Sequence, residues 1–350
     1  MEDVTKQMMH LQLDSFLLDE EIKSYSAGVI YKGETYTFHD GKLLNGKSPD
    51  DSTLYEMASL TKTFTGTLLA EAIAENKIKL EDDIRNYLDG SFPNLQYKNQ
   101  PILVKHLVLH ESGLPRMLPN RPALFENPDF NTLPNKINAL QSGYTKSNFM
   151  NDLTEVQIDT FPGSVFNYSN TGANLLGYIL ENLYGQDYET ILKGKIFQPL
   201  KMNNSIIDRK NNDLSKLADG QNIEGFRMPF MVNKGISAEG GIISNTKDML
   251  AYCAYHLAED KSEVIQIAHQ HLWGGKYGDF ESAFFWQVNK RGEAPDLYFQ
   301  NGGAFGTSSW ITLIPEEDFA IFLVTDVSGP QIHQKMNQSV EKLIEKILDR

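Results

Sequence analysis

Ser59 and Lys62 stand three residues apart at the start of a segment that reads as a helix, Ser59-Leu60-Thr61-Lys62-Thr63-Phe64. Serine is a poor nucleophile until a base takes its proton, and side chains at i and i+3 share one helix face. Burial disfavours the ammonium form of lysine and moves it toward a usable base. The N–H groups of a helix start can also stabilise an oxyanion. The spacing alone is weak, because Ser244/Lys247 and Ser339/Lys342 repeat it. Ser339 falls in an amphipathic terminal segment, where such a pair shares the solvent face. Ser244 precedes Asn245-Thr246-Lys247-Asp248 and reads as part of a helix N-cap. Ser59 and Lys62 instead enter a helix that is apolar on most sides. On spacing and context, nucleophilic catalysis and a buried polar pair both stand open.

Two further groups could complete such a site. In Tyr168-Ser169-Asn170, extended backbone points residues i and i+2 the same way; the phenol could relay protons and the amide hold a substrate carbonyl. Tyr97-Lys98-Asn99 has the same spacing but lies in a polar loop, where turn asparagines are common. Gln300-Asn301-Gly302-Gly303 follows the strand-like Leu297-Tyr298-Phe299, and its glycines permit close approach of backbone to a ligand. The Gly303 N–H with that of Ser59 could form an oxyanion hole; taken alone, the segment reads as a glycine-rich hairpin turn. Cys253, the single cysteine, sits in the apolar run Met249–Ala254 and reads as a buried helical residue rather than a nucleophile. His106 and His110 have the i, i+4 spacing of a zinc pair, but no third ligand accompanies them.

The elements that must position these groups follow from periodicity. Residues 7–23 read as an amphipathic helix, and Ser26–Tyr31 with Glu34–His39 as a hairpin around Lys32-Gly33. Residues 59–76 read as a strong helix, with Phe64, Leu68, Leu69, Ala72 and Ile73 on a broad apolar face. Helical signals recur at Val104–His110, Ala173–Tyr184, Tyr188–Phe197 and 246–257. The Pro-, Asn- and Gly-rich run from about 115 to 150 reads as long loop lining a site. Strand patterns cover Ala283–Val288, Leu297–Gln300, Ser308–Ile314 and Ala320–Thr325, and Ile332–Leu348 closes the chain as an amphipathic helix. Strands at both ends with helices between imply an α+β fold. One antiparallel sheet is built from both chain ends and flanked by helices, with a mostly helical lobe inserted in the middle.

Composition narrows the function classes. There are 46 acidic against 32 basic residues, a formal net charge of −14, and that field disfavours nucleic acid as a partner. No stretch approaches the roughly 18 apolar residues of a membrane span. The N-terminus, Met1-Glu2-Asp3-Val4-Thr5-Lys6-Gln7, lacks the basic start and apolar block of an export signal. This predicts a cytoplasmic protein if the sequence is complete, and a periplasmic or extracellular one if a signal was removed. At 350 residues the chain exceeds what one compact core usually holds.

In this order the residues resemble the serine β-lactamase-like hydrolases related to class C β-lactamases, D-Ala-D-Ala carboxypeptidases and family VIII esterases. Leu54–Phe64 looks like the nucleophile block of that family, Val104–Pro115 like its second landmark, and Phe166–Gly172 like its Tyr-x-Asn element. Phe197-Gln198-Pro199-Leu200-Lys201-Met202 and Ala238-Glu239-Gly240-Gly241-Ile242-Ile243-Ser244 are similar to two structural landmarks. The resemblance covers about residues 24 to 330. It implies a single hydrolase domain over 1–350, with one α/β lobe from 1–77 with 236–350 and a helical lobe from 78–235. It implies acylation of Ser59, proton transfer shared by Lys62 and Tyr168, and substrate binding by Asn170, Gln300, Asn301, Gly302 and Gly303. The substrate would be a small molecule or peptide, with no metal and no cofactor, and His106 and His110 would be structural.

One departure stands out. The third element of the family begins with Lys or His, then a small residue, then Gly; here it is Gln300-Asn301-Gly302. Glutamine carries no charge, so recognition of substrate carboxylates should weaken. An esterase-like enzyme for neutral esters or amides is expected, or one for peptides held by another cation such as Arg116. The alternatives are a D-Ala-D-Ala carboxypeptidase, D-aminopeptidase or β-lactamase, and, in another class, a penicillin-binding sensor or inactive binding protein.

Overall fold

A computed structural model describes residues 2–210, 212–232, 237–258, 262–272 and 280–348. Seven strands make one antiparallel sheet: β1 (Ser24–Tyr31), β2 (Glu34–Gly41), β3 (Phe280–Ser282), β4 (Gln287–Arg291), β5 (Ala294–Gly303), β6 (Ser308–Ile314) and β7 (Phe319–Thr325). Their spatial order is β2-β1-β7-β6-β5-β4-β3. The N-terminal hairpin joins the C-terminal strands through β1 and β7, in the register Ser26↔Val324 to Tyr31↔Phe319. The expected α+β fold, with its sheet drawn from both chain ends, is the one observed.

β1, β6 and β7 are buried along almost their whole length because helices cover both faces of the sheet. On the outer face lie α1 (Glu2–Asp14) and α10 (Pro330–Ile347). Ile332, Met336, Val340, Leu343 and Ile347 of α10 make a buried stripe at helical spacing, which packs with Met9 and Leu13 of α1 against Val29 and Ile321. On the inner face, α8 (Thr246–Leu257) crosses β1 so closely that a Cβ at Gly28 would stand 2.6 Å from Leu250. Behind it run α2 (Thr61–Ala74), whose first ten residues are all buried, and α9 (Glu263–Ala268), which packs on α2. Each buried Leu or Phe there contributes roughly 1.5–3 kcal/mol.

Between the two halves of the sheet the chain forms α3 (Val104–Val108), α4 (Leu133–Gln141), α5 (Lys146–Thr154), α6 (Asn170–Tyr184) and α7 (Tyr188–Leu192). The run expected as loop over 115–150 therefore holds all of α4 and the start of α5. The expected lobe boundary at 235/236 lies outside the described residues. Ala283–Trp286, expected within a strand, is irregular. Phe285 has φ 63, a left-handed conformation, so β4 starts only at Gln287. The apolar run 283–286 reflects burial rather than strand pairing. No helix among the described residues is long and apolar enough to cross a membrane.

Candidate active site

The nucleophile block begins as a strand. Tyr55 and Glu56 pair with Ser244 and Ile243, and Met57 N–H donates to Ile242 O at 2.9 Å. Ala58 then takes φ 46, a left-handed conformation costly for a residue with a Cβ. That turn delivers Ser59 into a single 3-10 turn, Ala58–Leu60, ahead of α2. The expected helix over 59–76 thus starts at Thr61, and Ser59 sits on the sharp turn before it.

Lys62 is fully buried and Nζ donates to Ser59 Oγ at 3.0 Å and to the Glu239 carbonyl at 2.6 Å. The Tyr168 hydroxyl lies 2.8 Å from Ser59 Oγ, and Lys62 Nζ is 5.0 Å from the Tyr168 ring centre. One serine oxygen is thus held between an amine and a phenol. The other two Ser-x-x-Lys pairs do not meet. Ser244 Oγ bonds to Ser205 Oγ while Lys247 pairs with Asp51, and Asn245, not Ser244, caps α8. Ser339 is buried, not on the solvent face. Tyr97-Lys98-Asn99 forms a tight turn between Gln96–Tyr97 and Gln100–Pro101, with Lys98 and Asn99 left-handed.

The segment after α3 positions Tyr168. His110 Nδ1 accepts from Ser169 N–H at 3.1 Å, His110 O accepts from Asn167 N–H at 2.7 Å, and Arg116 O accepts from Asn170 N–H at 2.9 Å. The His110 ring lies 4.4 Å from that of Tyr168. Burial and the nearby charge of Lys62 push His110 down to about 3, so it supports as a neutral ring. His106 Nδ1 accepts from Leu103 N–H at 3.0 Å. Both histidines serve the backbone.

Asn170 is the first residue of α6, capped by Ser169, rather than part of an extended segment. Its Oδ1 is buried and without a hydrogen-bond partner among the described residues. Such a group is costly unless something binds it.

Opposite Ser59, β5 ends in Asn301-Gly302-Gly303. A Cβ at Gly302 would stand 2.3 Å from Met57 O, 2.5 Å from Ser309 Oγ and 3.1 Å from Ser59 N, so only glycine fits. Gln300 is buried. Its Nε2 donates to Phe285 O at 2.5 Å and its Oε1 accepts from Asn301 N–H at 2.9 Å. The side chain is engaged by backbone, although it lines, with Tyr168, His110, Phe166, Phe285 and Trp286, a cavity of about 210 Å³. Cys253 is buried in α8, and burial pushes its thiol up.

Glu239 and its partner Asn174, near the site, escaped the sequence reading of their roles, whereas Arg116 is named there as a candidate substrate cation. Glu239 lies in a stretch read as structural, yet it is half-buried beside the site. Asn174 Nδ2 donates to Oε2 at 3.0 Å, and Asn174 Oδ1 accepts from Glu239 N–H at 3.0 Å. Burial pushes Glu239 up to about 7 against the opposing charges of Lys62 and Arg116. The Arg116 guanidinium is exposed, 5.9 Å from the Tyr168 ring centre and 5.6 Å from that of Phe125, with no salt bridge among the described residues.

Comparisons with known proteins place the chain by family and fold. The chain is 24% identical over 328 residues to Protein flp of Staphylococcus aureus (strain MRSA252), covering 89% of this chain and 61% of that protein. It therefore spans about three fifths of that relative's length. A Beta-lactamase of Escherichia coli (strain K12) is 23% identical over 364 residues, covering 92% and 89%. The solved Beta-lactamase/D-alanine Carboxypeptidase of Yersinia pestis superposes with a TM-score of 0.80 at 22% identity, over 98% of this chain and 99% of that one. The octameric penicillin-binding protein homologue of Pyrococcus abyssi gives 0.78 at 22%, over 96% and 76%. The Beta-lactamase family model matches residues 1–343, and the chain belongs to that family.

Proposed function

We propose that this protein is a serine hydrolase that acylates Ser59 and hydrolyses neutral esters or amides. The observation that carries the reading is the shared contact of Ser59 Oγ with Lys62 Nζ (3.0 Å) and the Tyr168 hydroxyl (2.8 Å). Ser59 Oγ attacks the acyl carbon, and its proton passes to the Lys62–Tyr168 pair. The oxyanion rests on the N–H groups of Ser59 and Gly303. The pair returns the proton to the leaving group as its bond breaks. Water then attacks the acyl-enzyme by the same proton route, releasing the acid and restoring Ser59. Asn170, through its unpartnered Oδ1, would accept from an N–H or O–H of the bound substrate.

The preference for neutral substrates rests on Gln300. It brings no charge, and one of its two amide N–H groups is already engaged by Phe285 O. The test compares kcat/KM for p-nitrophenyl butyrate, a D-Ala-D-Ala peptide and nitrocefin, with Ser59→Ala as control. Faster turnover of the ester is expected. Faster turnover of either carboxylate substrate overturns the preference, and stable fluorophosphonate labelling without turnover would instead indicate a binding protein.

A second reading, a carboxypeptidase or β-lactamase, is favoured by Arg116, an exposed cation beside Tyr168. In that case Arg116→Ala raises KM for the peptide and for nitrocefin and leaves the ester unaffected.

A further inference from the structure

Gly302 and Gly303 end β5 as its last residues paired with β6, opposite Ser309 and Ser308, with no side chains of their own to fix the tilt of the peptide between them; the chain turns back at once, with Ala304 N–H donating to Thr307 O at 3.0 Å. In a trans peptide the C=O and the following N–H point in opposite directions. Whatever fixes the Gly302 carbonyl therefore aims the Gly303 N–H. From the outer side of the sheet, His333 Nε2 in the first turn of α10 lies 3.0 Å from that carbonyl. A carbonyl only accepts, so Nε2 carries the proton. Burial pushes His333 below its ordinary value, which keeps the ring neutral.

Gly303 makes the room for this contact, since a Cβ there would stand 3.2 Å from His333 Cε1. Gly302 makes the matching room on the Ser59 side. Ser309, the register partner of Gly302, also lies 3.3 Å from the carbonyl through Oγ. That hydroxyl is closer to Met57 O, at 3.0 Å, and its single proton serves one acceptor.

We propose that His333 is the positioning residue of the oxyanion hole: its Nε2–H anchors the Gly302 carbonyl from behind the sheet and so aims the Gly303 N–H at the acyl oxygen over Ser59. This rests on the acyl-enzyme reading above. His333 touches no reacting atom. It adds a side-chain donor to a peptide that strand pairing, Gly302 with Ser309 and Gly303 with Ser308, already sets in the sheet plane, and so fixes its tilt.

The test uses the whole chain with p-nitrophenyl butyrate as substrate and phenylboronic acid as probe, because its tetrahedral adduct on Ser59 places an oxygen where the oxyanion forms. His333→Leu removes the donor, whereas His333→Gln places an amide N–H where Nε2 stood. Loss of one oxyanion donor lowers kcat about 10²–10³-fold, and misaiming one should cost on the order of 10-fold or more. His333→Leu is expected to show that fall in kcat with little change in KM, and a parallel weakening of boronate affinity. His333→Gln should recover most of both. Should His333→Leu not fold, His333→Asn takes its place, since its shorter amide stops short of the carbonyl. A folded donor-less variant with wild-type kcat and boronate affinity overturns the proposal. So does a loss that His333→Gln leaves unrescued while boronate affinity stays unchanged. Wild-type protein that neither turns over the ester nor takes a fluorophosphonate label would instead remove the acyl-enzyme reading, and this inference with it.

Discussion

Lys62 and Glu239 meet through backbone rather than as an ion pair: Nζ donates to the Glu239 carbonyl at 2.6 Å, while the Glu239 carboxylate is turned to Asn174. The lysine is thus held by a neutral acceptor, and the half-buried carboxylate lies nearby with a value pushed up to about 7 by loss of solvent. From this follows a signed effect on stability. Glu239 titrates above the 4.5 of an ordinary glutamate, so between about pH 4.5 and 7 the folded state keeps a proton that the unfolded state releases. Stability from this group is full below that window and is lost as pH rises through 7. Glu239→Gln removes the slope. Urea denaturation should find it more stable than wild type at pH 8, by on the order of 3 kcal/mol at about 1.4 kcal/mol per unit. At pH 4.5 the difference should be much smaller. A pH-independent difference would falsify this account.

The contacts of Ser59 give the second prediction. Ser59→Ala should abolish fluorophosphonate labelling. Lys62→Ala and Tyr168→Phe should each lower kcat for p-nitrophenyl butyrate about 10²–10⁴-fold. The double variant should lose little more than the worse single one, because the two groups act as a unit on one oxygen. Losses that multiply in the double variant would separate their roles.

Gly302→Ala tests the close approach of β5 to the nucleophile. Its Cβ would meet Met57 O at 2.3 Å, which is backbone and cannot swing aside. A fall in stability of about 1–3 kcal/mol is expected by analogy with overpacked cores, with loss of esterase turnover as Ser59 shifts. Thermal unfolding and active-site labelling check both. Wild-type values for either would mean the strand end yields more easily than its contacts indicate.

How far the sequence revealed all this depends on what pattern can encode. Strands buried on both faces, such as β6 and β7, read directly as apolar runs, and α8 was legible to the residue because its apolar run follows a capping Asn245. The apolar run Ala283–Trp286 looked the same as a strand, because burial and pairing leave the same trace in hydrophobicity. Ser59, Lys62 and Tyr168 stood out through polar types in apolar surroundings and through their order along the chain. His333 did not, because it sits in an amphipathic helix whose apolar stripe explains its neighbours, and its partner is a backbone carbonyl 31 residues away. Glu239 was hidden for a similar reason: its value depends on burial by elements distant in sequence.

The uncharged third element gives the last prediction. Gln300 is buried, bonded to Phe285 O and Asn301 N–H, and shares the cavity with Tyr168. Gln300→Lys places a cation at the head of this element. The ammonium keeps a donor for Phe285 O and adds an attraction that a carboxylate feels and a neutral ester does not. The expected outcome is a rise of about 10-fold in kcat/KM for nitrocefin relative to p-nitrophenyl butyrate, equivalent to about 1.4 kcal/mol of preferential stabilisation. The rise should shrink with added salt, as the attraction is screened. Combining the change with Arg116→Ala decides where the carboxylate sits. If Arg116 holds it, the second substitution cancels much of the gain; if the new lysine does, the gain persists. Equal changes for both substrates would show that charge at position 300 does not set the preference.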